Sequence, residues 1–425
     1  MKKFNVIIVG TGVSGLFTAL NLDSDKRILI LSKAAADETD SFLAQGGICV
    51  QVDDEDFESF MEDTLKAGHY ENDREAVAVM IRQSGEIIED LIRLGVEFDR
   101  EGNGFSYTRE AAHSKARILH CKDRTGSEIN GKLLKKVLEL KNVTIMEKST
   151  VTDILTDGSR CFGTIVRDPG GKYENFFAEA TVLATGGIGG LFERSTNFPH
   201  LTGDSLAIAI KHSIKTRDIS YIQVHPTSLW TEEPGRAFLI SESVRGEGAV
   251  LIDKNGNRFT DELQPRDVLT KKIHEQMEKD KMPFVRLCLA GHVKADAAKR
   301  FPTIYEHCLK HGYDITKEPI PVVPAQHYFM GGIATDLNGR TSLECLYAAG
   351  ETACNGVHGR NRLASNSLLE SLVFSKRAAQ DINRIRHHAV IPDFPEPSVI
   401  PEEERILEDK DLIMNEIRKG EKNEG

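Results

Sequence analysis

Near the amino terminus, a continuous apolar run, Asn5-Val6-Ile7-Ile8-Val9, leads straight into Gly10-Thr11-Gly12-Val13-Ser14-Gly15. A helical stretch follows to about residue 23, and then a second apolar run, Arg27-Ile28-Leu29-Ile30-Leu31. Strand, glycine turn, helix and strand in this order form the context in which G-x-G-x-x-G binds a dinucleotide. The first glycine permits the turn, the second lets backbone approach a pyrophosphate, and the third packs helix on strand. Backbone N–H groups and the helix dipole then face the phosphates. The acidic residue expected about 20 positions on is replaced by Ser32, followed by Lys33. A serine still hydrogen-bonds a ribose hydroxyl, and a lysine meets a phosphate. A tight glycine turn in an unrelated α/β protein is the bland alternative.

This reading also removes a rival. Residues 4–22 carry no charge and follow Met1-Lys2-Lys3, like the start of a secretory signal. Glycines at 10, 12 and 15 and the polar residues between them suit a strand and turn rather than a targeting or spanning helix. Nothing else approaches the roughly 18 apolar residues that a span requires. The 425 residues suggest two or three domains with a sizeable core. Lys and Arg number 54 against 65 Asp and Glu, a net charge of −11 that argues against an extended nucleic-acid surface. Seven scattered cysteines without a C-x-x-C pair fit a reducing cytoplasmic compartment. No histidine spacing typical of a metal site appears, so no metal is expected.

The expected fold is α/β, a Rossmann-like dinucleotide-binding domain with an inserted α+β capping domain. Helical patterns cover roughly 57–94 and 126–140. Strands are expected at 143–147, 150–156, 163–167 and 176–178, with a further buried strand from 180 that ends in Gly186-Gly187. From about 220 to 329 the texture changes to polar loops, prolines and amphipathic helices at 269–279 and 290–299. A strand at 346–350 and a long helix at 367–386 complete the first domain. The boundaries are therefore 1–219 and 330–391 for the split binding domain, 220–329 for the insert, and 392–425 for a proline-rich linker and charged tail. Ile406, Ile413 and Ile417 share one face of that tail, which reads as a surface helix or frayed end.

Further motifs are more specific. They are Ser41-Phe42-Leu43-Ala44-Gln45-Gly46-Gly47, His225-Pro226-Thr227, Gly350-Glu351, and Gly359-Arg360-Asn361-Arg362-Leu363-Ala364-Ser365-Asn366-Ser367-Leu368-Leu369-Glu370. Together they resemble the flavoprotein family of succinate dehydrogenase, fumarate reductase and L-aspartate oxidase, over about residues 5–386. Thr108-Arg109-Glu110-Ala111-Ala112-His113-Ser114 is most similar to the aspartate-oxidising members. The dicarboxylate enzymes typically carry glutamine where Glu110 stands, and many relatives have glycines at the places of Ala111 and Ala112. Typical aspartate oxidases continue for a further helical domain, so that domain is expected to be absent or vestigial here.

The resemblance implies FAD, held non-covalently because Asp40 stands where membrane-bound members attach it through histidine. It places Arg266 and Arg362 in the substrate site as carboxylate anchors, and Glu110 beside the substrate ammonium. His225 and His327 correspond to positions that hydrogen-bond the substrate carboxylate. Ser241, where many relatives have threonine, completes the pocket with Glu242, Gln223 and Ser365. For the cofactor it assigns Gly10, Gly12, Val13, Ser14 and Gly15 to the pyrophosphate. Lys33, Ser41, Gln45, Gly46 and Gly47 are assigned to the ribityl and flavin region, and Val151 to the adenine end. Asp204, Glu351, Ser367 and Leu368 complete that set, with Ser367 as the cap of a helix aimed at the flavin.

The implied reaction is oxidation of L-aspartate to iminoaspartate by hydride transfer from Cα to flavin N5, feeding quinolinate and NAD synthesis. Dioxygen or fumarate would re-oxidise the flavin, and quinolinate synthase would receive the product. An unshifted glutamate near pKa 4 would be a poor base at neutral pH. A soluble fumarate reductase is the alternative enzyme, and a flavin-binding module without turnover is the alternative of another class.

Overall fold

The computed structural model describes residues 2–385 and 390–424. The chain opens with β1 (Lys2–Val9), α1 (Val13–Asn21) and β2 (Ile28–Leu31). Val6 and Ile8 of β1 pack into the same core as Leu16 and Phe17 of α1. Ile7 and Val9 face the other way, among Val151, Ile154 and Ile208. Both faces of the strand are covered, which is why its sequence is apolar without alternation.

The helical pattern at 57–94 resolves into α2 (Asp56–Ala67) and α3 (Arg74–Arg93). Between them His69 and Tyr70 take left-handed backbone conformations, and Asp73 caps α3 by accepting from Glu75 and Ala76 N–H. Next come α4 (Thr125–Leu138), β3 (Val143–Met146), β4 (Thr150–Thr156), β5 (Cys161–Arg167) and β6 (Tyr173–Leu183). The two strands expected between 176 and 185 are this single β6. It pairs antiparallel with β5 along its first half, and its polar residues mark that edge rather than a break. β1 lies parallel beside it. The main sheet runs β3-β2-β1-β6-β5-β4.

After α5 (Asp204–Lys211) the chain builds an antiparallel sheet from β7 (Ile222–Leu229), β8 (Val250–Ile252), β9 (Val285–Cys288) and β10 (Ile320–Phe329), in the order β7-β10-β9-β8. The helix Arg266–Asp280 covers it, sharing a core of Leu229, Ile240, Leu251, Leu269, Ile273 and Val322. The second helix expected there, at 290–299, forms only at its end. Gly291 adopts a left-handed turn, and the Asp296 side chain accepts from Lys299 N–H, so helix begins only at Ala297–Arg300.

The chain returns as β11 (Leu346–Ala348), parallel to β6, and α6 (Asn366–Ile382), which packs beside α1. The expected helix end at Arg386 lies outside the described residues. Among its described residues the tail is a helix, as expected, and is packed against the rest of the chain. Phe394 packs its ring against Phe162 and Phe177, at centroid distances of 5.8 and 6.1 Å. The Tyr173 hydroxyl donates to Ile400 O at 2.7 Å. The last helix, α7 (Glu402–Glu424), buries Ile413 and Ile417 against Ile188, Leu206, Ala207 and Phe329, while Ile406 is half-buried. Burial of two isoleucines removes enough apolar surface, at about 1.5–3 kcal/mol per side chain, to seat the helix.

Candidate active site

One elongated cavity runs from the glycine turn after β1 to the space between the two sheets. Gly10, with φ +117, starts its wall. A Cβ on Gly10 would lie 2.1 Å from Ala184 O, so only glycine lets β1 leave the sheet here. Gly12 occupies the N-cap of α1 and offers no side-chain cap, while Ser41 Oγ accepts from Val13 N–H at 3.2 Å. Val13 and Gly15 lie behind the wall rather than in it, and Gly15 is pressed against Gly10 O.

Gly10, Gly12, Ser14, Lys33, Ser41, Gln45, Gly46, Gly47, Val151, Asp204, Glu351, Ser367 and Leu368 all line the cavity. Their grouping differs from expectation at one point. Lys33 does not sit with Gly46 and Gly47 but donates to Asp204 at 2.8 Å and Thr202 at 2.9 Å. Hydrogen bonding of Ser149 N–H to Ser32 O places Lys33 near Val151 instead. Gly46, by contrast, lies against the Glu110 carboxylate.

At the far end the charged residues interlock. Arg266 is the first residue of its helix, behind Pro265, and is 6% exposed. Its Nε donates to Glu242 Oε2 and its Nη1 to Gln223 Oε1, both at 2.6 Å. Gln223 lies behind the cavity wall and donates onward to Asn361 Oδ1 and Arg362 O, each at 2.8 Å. Burial alone would raise the Glu242 carboxyl, but Arg266 and Arg245 hold it below its usual value. Ser241 caps the short helix Glu242–Gly246, which aims Glu242 and Arg245 inward.

Glu110 accepts from Ser365 Oγ at 2.6 Å and from Ser243 Oγ at 2.7 Å. Burial first, and then the nearby Glu242 charge, raise its pKa above that of an ordinary carboxylate. The His225 and His327 rings meet edge-on at 5.1 Å. His225 Nδ1 lies 3.0 Å from Thr227 O, and His327 Nδ1 lies 2.7 Å from Thr196 Oγ1. Burial, reinforced by Arg266, pushes both imidazoles well below their ordinary pKa and keeps them neutral. Arg362 lies over the Tyr328 ring at 4.4 Å, and its Nε is buried without a hydrogen-bond partner. Burial, then the Arg266 charge, lowers it to about 10.

Ser367, contrary to the sequence reading, is not the cap of α6. Ser365 takes that position with φ +60, while its hydroxyl leaves the helix to bind Glu110. Glu110, whose suitability as a base the sequence left open, has its pKa raised by burial and by Glu242. Sequence reasoning also missed Ser243, Arg245, Tyr328 and Arg236, all of which are in or behind the wall. The Glu242-x-x-Arg245 spacing signalled an ion pair on one helix face; nothing local pointed to Arg236. Asp40 also lines the cavity, raised to about 7 by burial although Phe198 N–H donates to it at 2.9 Å.

Comparison with known proteins agrees with this geometry. The FAD binding domain family matches residues 5–368. An L-aspartate oxidase of Clostridium perfringens is 51% identical over 90% of this chain and 88% of its own length. An L-aspartate oxidase of Neisseria meningitidis is 42% identical over 89% of this chain and 77% of its own. The chain belongs to the L-aspartate oxidase family. Among solved structures, the E. coli quinol fumarate reductase FrdA chain is 28% identical with a TM-score of 0.84, covering 100% of this chain and 74% of that one. The fold is thus the α/β FAD-binding domain with an inserted α+β cap, and FAD is the cofactor. The residues fit it: a turn where a Cβ on Gly10 or Gly15 would strike backbone, a glycine at the helix N-cap with no side chain of its own, and a buried, unpartnered Gln45 Oε1 in the wall.

Proposed function

We propose that this protein oxidises L-aspartate to iminoaspartate with non-covalently held FAD. The observation that carries the reading is Glu110, a carboxylate in the same buried space as Arg266 and Arg362. Two arginines suit a dicarboxylate, because each guanidinium fork binds a carboxylate through paired hydrogen bonds. A third group, itself anionic, would repel succinate or fumarate but pairs with the ammonium of an amino acid.

Bound FAD supplies the two-electron acceptor for the hydride that leaves Cα. Arg266 and Arg362 hold the carboxylates, and neutral His225 and His327, in the tautomers whose Nδ1 accepts from Thr227 N–H and from the Thr196 hydroxyl, donate hydrogen bonds to them through Nε2. Ser241 and Glu242 shape the wall, and Gln223 and Ser365 fix Arg266 and Glu110. Glu110 also receives the proton lost from the substrate nitrogen. Its raised pKa brings it closer to the operating pH than an ordinary carboxylate would be. Gly10, Gly12, Ser14 and the α1 start hold the diphosphate, with Val13, whose N–H goes to Ser41 Oγ, and Gly15 packed behind them. Ser41, Gln45, Gly46, Gly47, Glu351, Ser367 and Leu368 enclose the rest, and Lys33, Val151 and Asp204 the adenosine end. Asp40 offers no imidazole for covalent attachment.

On this reading 1–219 and 330–391 form the FAD-binding domain, 220–329 the cap and 392–425 the tail. Dioxygen or fumarate takes the electrons onward, and a cytoplasmic quinolinate synthase receives iminoaspartate. Among the described residues no helix is long and apolar enough to cross a membrane.

The test is anaerobic mixing of the flavin-loaded protein with L-aspartate and, separately, with succinate. Loss of the flavin's visible absorbance with L-aspartate alone is expected. Bleaching by succinate alone would transfer the protein to the fumarate reductase reading.

A further inference from the structure

We infer that Arg405, on the C-terminal helix α7, is a positioning residue for the cofactor, acting through the Asp204–Lys33 pair. The inference rests on the FAD reading above. Arg405 is 3% exposed and does not line the cavity, whereas Asp204 and Lys33 do. Arg405 Nη1 lies 3.5 Å from Asp204 Oδ1 and donates to Asp409 Oδ2 at 2.9 Å. Asp409 is paired in turn with Lys211 of α5 at 2.5 Å. Arg405 Nε and Nη2 are buried without hydrogen-bond partners.

An arginine so placed is expensive. Removing a guanidinium from water costs several kcal/mol, and well-packed apolar residues often replace buried ion pairs at no loss of stability. The helix does not need Arg405 to dock, because Ile413 and Ile417 already seat it on Ile188, Leu206 and Phe329. What Arg405 supplies is charge. Within this paired network Lys33, Lys211 and Arg405 outnumber Asp204 and Asp409 by one positive charge. Without Arg405 the network loses that positive charge, and within it Lys33 becomes the sole counter-ion of Asp204. Its ammonium is then drawn away from a ligand phosphate or ribose, towards Asp204. FAD carries an anionic diphosphate, so both changes weaken its binding while leaving the distant substrate residues untouched.

The experiment measures FAD affinity by quenching of flavin fluorescence, at a temperature below the melting transition of every variant. Arg405→Gln and Arg405→Leu should each weaken FAD binding about tenfold, the effect of one partly buried charge. Arg405→Lys should remain within about threefold of wild type, because the charge is retained. Leu407→Ala, an exposed change on the same helix, should have no effect. At saturating FAD, aspartate turnover of Arg405→Gln should match wild type. Wild-type affinity in Arg405→Gln and Arg405→Leu would overturn the inference. So would an Arg405→Lys as weak as Arg405→Leu, which would assign the effect to shape. Wild-type protein that binds FAD without oxidising aspartate would overturn the substrate reading and leave Arg405 standing.

Discussion

At one end of the cavity Arg266, Glu242, Glu110 and Arg362 are each at most 6% exposed and fixed by groups from separate segments. At the other end Lys33 and Asp204 keep 23% and 15% of their side chains in solvent. The difference follows what each end must do. Chemistry at a reacting carbon depends on orientation, and a misplacement of about 1 Å costs around 10²-fold in rate. Holding a cofactor tolerates more adjustment, and partial solvation lets the charges rearrange as the ligand enters. Burial at the substrate end also makes every charge there depend on its neighbours, whereas the Lys33–Asp204 end is screened.

The largest expected effect comes from breaking the buried network. Arg266→Leu removes a carboxylate anchor and leaves Glu242 with only Arg245, 3.6 Å away. Loss of about 10³-fold in kcat/KM for aspartate is expected, on the scale of deleting a preorganised charge contact. Breaking a buried pair also costs about 3–5 kcal/mol of stability, read by denaturant unfolding. A variant with wild-type turnover would erase the distinction between the two ends.

Glu110→Gln is expected to be next, at about 10²-fold in kcat/KM for aspartate, the scale of general-base catalysis. The pH profile gives the sign. Glu110 must be ionised to pair with an ammonium, and its pKa is raised. Wild-type kcat/KM should therefore fall as pH drops through a value above the normal carboxylate range. The Gln variant should lack that acid limb. An unchanged profile would remove Glu110 from the reaction.

The same contrast governs what was legible in sequence. The glycine turn, β1, α1 and β2 depend on local rules, backbone freedom at Gly10 and apolar runs, and these read directly. The charged site residues were legible only through long motifs, since no periodicity brings Glu110, Glu242, Arg266 and Arg362 together. The raised pKa of Glu110 needed the fold, because its causes are burial and the charge of Glu242, 132 positions away in the chain and invisible to a window. The tail failed for a related reason. Ile413 and Ile417 showed an apolar face, but the surface that receives it combines Ile188, Leu206 and Phe329. The helix expected at 290–299 is shortened for a local reason: Gly291 and Asp296 are turn and cap residues, and both outweigh the apolar spacing.

A smaller effect is expected at the screened end. Lys33→Ala should weaken FAD binding about tenfold, consistent with one partly solvated charge contact, with aspartate turnover near wild type once FAD is saturating. Because Lys33 is partly exposed, raising salt should weaken FAD binding more in wild type than in the variant. Equal salt slopes would show that Lys33 does not meet the cofactor's charge.

The smallest effect tests whether burial or pairing sets the behaviour of the substrate-end carboxylates. Glu370 is buried like Glu242, at 1% and 4% exposure, but its contacts are Asn355 and Ser371 rather than arginines. Burial accordingly raises its pKa from 4.5 to about 7, whereas Glu242 is lowered. The folded chain therefore keeps a proton that the unfolded chain releases, and the unfolded state gains relative stability as pH rises from about 4.5 to about 7. Part of the wild-type melting temperature should be lost across that window, and Glu370→Gln, which cannot ionise, should flatten the decline. Thermal melts at matched ionic strength on both sides of the window read this directly. Parallel declines in the two proteins would mean that Glu370 is ionised in the fold, and that burial without a counter-ion does not distinguish it from Glu242.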